Sequence, residues 1–157
     1  MKNKTIAVWV TLLFGALGLH RRYLLGRFDT LALLLPIPTL LGCYGVLRAR
    51  AFGVDDQWSW VLRPLLGFTL AGCALTAIVY GLMSAPQWNQ KFNPQAPEDT
   101  AQGTSNWFTI IGLGVALMLG TTVLMASLAF SIQRYFEYQM EQASSLSQGS
   151  TIKKSGD

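Results

Sequence analysis

Apolar residues along this chain gather into four runs, at 5–19, 30–47, 65–83 and 107–130, and the charged residues fall almost entirely between and after them. A water-soluble domain scatters its charges through amphipathic elements. Segregation of this kind suits a polypeptide dissolved in hydrocarbon. A helix rises about 1.5 Å per residue and the bilayer core is about 30 Å thick, so a crossing takes about 20 residues. The pattern predicts an all-α, polytopic membrane protein with four transmembrane helices. The first run is short, roughly 22 Å as a helix. It pairs with the second run as a hairpin with a basic tip. Pro36 and Pro38 lie within one turn of the second run and predict a kink or local unwinding, since each removes a backbone donor.

The segments between the runs have their own character. Residues 84–106 are rich in Pro, Gln and Asn and predict a flexible extramembrane loop joining the third and fourth helices. Arg63 before Pro64 marks the expected start of the third helix. Residues 131–146 continue as a helical extension with Ile132, Tyr135, Phe136 and Met140 near one face. Residues 147–157 read as disordered. The chain divides into a hairpin and following loop at 2–60, a second helix pair at 61–130, the extension and the tail.

Composition supports a membrane class. Hydrophobic residues make up 51% and charged residues 13%, against a usual charged share of about a quarter. The net charge of +4 comes without a basic tract interleaved with stacking aromatics, so nucleic acid is not expected as a partner. With the N-terminus inside, Lys2, Lys4, Arg48, Arg50, Arg63, Arg134, Lys153 and Lys154 face the cytoplasm. Arg21, Arg22, Arg27 and Lys91 face outward. That is eight against four, which places both termini in the cytoplasm and the chain in a bacterial inner membrane. Lys2 and Lys4 before an apolar run resemble a secretory leader, but the three later runs favour a retained signal anchor. Trp58, Trp60, Trp88, Trp107, Tyr80 and Tyr135 flank run ends as an interfacial belt.

The most distinctive stretch is 15–27, Gly-Ala-Leu-Gly-Leu-His-Arg-Arg-Tyr-Leu-Leu-Gly-Arg. Gly15 and Gly18 permit close helix approach and a sharp exit, and Gly26 permits chain reversal. Gly18, His20, Arg21, Tyr23, Leu24 and Gly26, after Lys4 and an apolar lead-in, resemble the signature of the TM-two domain family over about residues 2–60. Arg22 stands where that family has Phe, and one extra Leu precedes Gly26. Asp55 and Asp56 are weak counterparts of an acidic residue that follows the family's second helix. The resemblance implies a membrane hairpin and brings no established enzymatic activity with it.

Candidate sites follow from these features. His20, Arg21, Arg22, Tyr23 and Arg27 form either a phosphate or partner site, since Arg grips phosphate and carboxylate bidentately, or a set of snorkelling interface anchors. Asp29 is a candidate ion-pair partner for Arg22 or Arg27. Gly112, Ala116 and Gly120, with Gly67/Ala71 and Ala77/Gly81, form small-residue stripes for internal packing or for docking another protein. Cys43 and Cys73 lie in apolar runs and suit packing. With a single histidine and no motif for a metal, a nucleotide or nucleophilic catalysis, neither enzyme nor cofactor is expected. The expected role is an accessory or scaffolding subunit packed against other membrane protein subunits. The alternatives are a small channel or carrier and a module that binds anionic lipid headgroups.

Overall fold

The computed structural model describes residues 1–26, 30–53, 56–95, 97 and 100–155, with the side chains of 57 and 148–155 outside that description. Arg27, Asp29 and Asp55 therefore lie outside the described residues. Those described are helical or irregular, with no strand. The helices are α1 (Lys4–Phe14), α2 (Leu19–Leu25), α3 (Thr30–Leu34), α4 (Pro36–Phe52), α5 (Gln57–Leu82), α6 (Ala85–Phe92) and α7 (Trp107–Ser155). Three stretches are long and apolar enough to cross a membrane: Thr30–Phe52, Trp58–Leu82 and a segment within Ala101–Ser147. The fourth expected crossing, the first apolar run, is not among them.

The reason lies in the glycines. Asn3 caps α1 by accepting from the backbone N–H of Thr5 and Ile6. The helix ends at Phe14, rising about 16 Å. A 3-10 turn follows at Gly15–Leu17, and Gly18 takes a left-handed φ of 74°. A Cβ at Gly18 would overlap the Ala32 carbonyl. That carbonyl is the one Pro36 leaves without its usual i+4 donor, so the missing side chain of one residue fits the missing N–H of another. Beyond Gly18 the chain doubles back. The N–H of Asn3 donates to the Tyr23 hydroxyl at 3.0 Å, and Lys2 Nζ donates to the Leu24 carbonyl. The end of α2 thus lies beside the start of α1. The hairpin enters and leaves at the same end of the bundle.

Central to the bundle is α5. Along α4, Gly42 and Gly45 pack on Leu66 and Leu62; Gly67 packs on Ser127, and Gly81 on Leu113, along α7. On α1, Lys4, Ala7, Val8 and Thr11 form one buried face against α5 and α7. The ladder of the second apolar stretch is interrupted at Leu35, between α3 and α4, where the two prolines predict it. The single O–H of Thr39 is shared between the Ala16 carbonyl (2.8 Å) and the Leu35 carbonyl (3.0 Å), tying this break to the hairpin tip.

Three segments differ from the sequence expectation. Helix α5 begins at Gln57, not at Arg63–Pro64, because Asp56 caps it through the Ser59 N–H and also holds Arg48 Nε at 2.7 Å. Pro64 sits inside the helix. Residues 84–106 are not a flexible loop in their first half: Ser84 and Gln87 form a capping box that starts α6, and Trp88 is fully buried. Residues 147–155 continue α7 as helix, so the disordered tail is not observed there.

Candidate functional site

Two constructions stand out at the end of the bundle where α5 finishes and α1 begins. The first is a polar clasp. The Lys2 carbonyl accepts from Trp88 Nε1 and from Asn93 Nδ2, each at 3.0 Å, while the Lys2 backbone N–H donates to Asn93 Oδ1 at 2.7 Å. Asn3 reaches Gln102, and Asn89 Nδ2 donates to the Thr100 carbonyl. Lys4 is only 2% exposed; its Nζ donates to the Met83 carbonyl at 2.5 Å and to Ser105 Oγ at 2.7 Å. Tyr80, Trp88 and Phe92 close the apolar side with ring centroids 4.5 to 6.1 Å apart. The sequence placed Trp88 in an interfacial belt and Lys4 among the cytoplasmic cations ahead of the first run. The inward role of Lys4 depends on its sharing a face with Ala7, Val8 and Thr11.

The second construction is built on α2. The basic residues expected at a loop tip sit on this short helix, closed at Gly26 by its left-handed φ of 70° and a bond from its N–H to the Arg22 carbonyl. The helix splits the expected cluster. His20 and Leu24, one turn apart, are buried. His20 Nδ1 is buried with no hydrogen-bond partner among the described residues. Arg22 is exposed, Arg21 is half-buried, and Tyr23 turns its hydroxyl to the N-terminus. The members brought together are His20 and Arg21, which line a groove of about 540 Å³ between α2, the α3–α4 break and α5.

The small-residue stripes serve internal packing rather than a free docking face. A Cβ at Gly112 would meet Val8 Cγ1 at 3.0 Å, and one at Gly120 would meet the Ala74 methyl at 2.8 Å. Ala77 and Ala116 are fully buried, and Ala71 is half-buried. Gly15 lies against Cys73, whose thiol is free, as is that of the exposed Cys43. At the opposite end, the Arg48 guanidinium bonded to Asp56 holds that carboxyl below its ordinary range. Arg63 stacks over Phe130 and Arg134 over Trp60, which pins α5 to α7. Among the described residues no three His, Cys, Asp or Glu side chains cluster as a metal site.

No protein-family model matches this chain, and neither a curated protein nor a solved structure matches it.

Proposed function

We propose that this chain is an integral membrane protein without catalytic activity, an accessory or scaffolding subunit whose docking element is the far part of α7. One observation carries the reading. From 139 to 147 every side chain is exposed, yet the backbone stays helical well past Arg134, which stacks over Trp60, and past Tyr138, the last residue of α7 to line the groove with Trp60 and Val61. Helices without tertiary contacts are marginal in water, because nucleation is costly and propensity alone repays little. A second helix laid along this one supplies the missing contacts. Phe136, Met140 and Ala143 share the face such a partner would use.

In this reading the chain crosses an inner membrane three times, through α3–α4, α5 and α7, and the α1–α2 hairpin dips in and returns. Irregular backbone at membrane depth is tolerated where protein buries it, and Gly15 and Ala16 of the 3-10 turn are buried against the bundle. The TM-two resemblance over 2–60 fits a hairpin, though one that turns back within the bundle. A carrier is the second reading, favoured by the interrupted ladder at Leu35 beside the hairpin tip; ion flux in liposomes, lost with Pro36→Ala and Pro38→Ala, is its test.

For the subunit reading, a photo-crosslinking residue is placed in living cells at 136, 140 and 143, and on the opposite face at 141 and 145. The expected result is one heavier product of constant mass from the first three positions only. Crosslinks from both faces alike, or to lipid alone, would overturn the reading.

A further inference from the structure

The groove beside α2 has a polarity gradient along its length. Its α5 wall runs from Leu65 through Phe68, Gly72 and Thr76 to Tyr80. That is about 22 Å of helix, longer than the ~15 Å of hydrocarbon in one leaflet. The charge is concentrated at one end: Arg21 lies near Tyr80, which is two residues before α5 ends. The opposite end, at Leu65 and Phe68, is apolar. The intervening hydroxyls make no demand on an occupant, because Thr69 Oγ1 donates to the Leu65 carbonyl at 2.7 Å and Thr76 Oγ1 to the Gly72 carbonyl at 2.8 Å.

We propose that this groove holds one anionic glycerophospholipid, with its phosphate on Arg21 and an acyl chain lying along α5 toward Leu65. The charge complementarity and the gradient choose this occupant. An extended peptide would need a donor and an acceptor for every residue, and along α5 from Leu65 to Thr76 the groove offers only the acceptor lone pairs of two threonine hydroxyls, whose protons are already used. A second copy of the chain would bring no phosphate to Arg21. Arg21 also has a partner within the chain, but a guanidinium offers five N–H donors and can serve both. Tyr80 stands at the depth where an aromatic hydroxyl and a headgroup meet. Bound there, the lipid would cover the α3–α4 break from the membrane side. This site is on a different part of the molecule from the α7 docking element and does not depend on it.

The test is native mass spectrometry of the full chain released from mild detergent, after titration with phosphatidylglycerol or with phosphatidylcholine of the same acyl chains. The expected result is one phosphatidylglycerol retained in preference to phosphatidylcholine. Arg21→Gln is expected to weaken retention about tenfold or more, the scale of losing a charge-assisted bond, whereas Arg22→Gln, outside the groove, leaves it unchanged. Gly72→Leu fills the groove without touching its charge; a Cβ there meets no atom within 4 Å, so the variant is expected to fold. It should lose the lipid entirely. Equal retention of the two lipids, equal effects of the two arginine changes, or full retention by Gly72→Leu would each overturn the proposal. If Arg21→Gln does not fold, Gly72→Leu decides alone.

Discussion

Lys4 shows how far a single residue's meaning depends on its surroundings. Before an apolar run, a lysine is an interface anchor by default, free to snorkel toward water. Here the helical period places it on the face that α1 presses against its neighbours, and its ammonium becomes a buried bridge from α1 to the end of α5 and the start of α7. Replacement with Met keeps the stem but leaves the Met83 carbonyl and the Ser105 hydroxyl without their donor. The expected cost is about 1–3 kcal/mol, a fall in melting temperature of roughly 2–4 °C per kcal/mol for a chain this size. Thermal unfolding in detergent, followed by Trp fluorescence because Trp88 sits in the same clasp, measures it. An unchanged or higher melting temperature would show that the bridge contributes nothing.

Among the elements, the α4–α5 contact is the closest approach that the sequence did not announce. A Cβ at Gly42 would stand 2.7 Å from the Leu66 backbone nitrogen and 2.8 Å from its Cα. Backbone does not yield as a side-chain tip would, so Gly42→Val should drive the two helices apart and destabilise the fold by about 2 kcal/mol or more. Gly114 is the control. A Cβ there meets nothing within 4 Å, and Gly114→Ala in the interior of α7 should be neutral or stabilising by up to about 1 kcal/mol. Chemical denaturation in mixed micelles separates the two, and similar losses from both variants would refute the packing account. Stripes at 67, 77, 81, 112, 116 and 120 were legible because spacing by four is visible in any helix. Gly42 and Gly45 were not, because their stretch also holds two prolines and was read mainly for its break. Nor does spacing say whether a smooth face meets its own chain or another; only the packed bundle assigns these stripes inward.

Across the whole molecule the hairpin changes the arithmetic of orientation. Residues Lys2, Lys4, Arg21, Arg22 and Lys91 stand at one end, and Arg48, Arg50, Arg63 and Arg134 at the other, with Lys153 and Lys154 further along α7. The eight-to-four bias that favoured two cytoplasmic termini disappears once the first run turns back. The N-terminal residues lie at the end of α5, and Tyr138 lies beside Trp60 at its start, so the two termini are at opposite ends of the bundle. Single cysteines at 95 and 142, in a chain with Cys43 and Cys73 replaced by Ala, are therefore expected to react with an impermeant thiol reagent from opposite sides of the membrane. Labelling of both from the same side would restore an even number of crossings.

Composition and the segregation of charge were enough to establish a helical chain with stretches suited to hydrocarbon, since burying backbone in lipid leaves few alternatives to the helix. Local rules were also enough for the break near Pro36, the turn glycines at 18 and 26, and the helical continuation after 130. Whether an apolar run of about fifteen residues crosses or returns is not a local property. It depends on whether the turn finds a seat, and that seat is made by Ala32, Thr39 and Cys73, drawn from three later helices, α3, α4 and α5. The same holds for the clasp and the groove: their members are separated by tens of residues, and only the packing of α1, α2 and α5 brings their polar atoms within reach of one another.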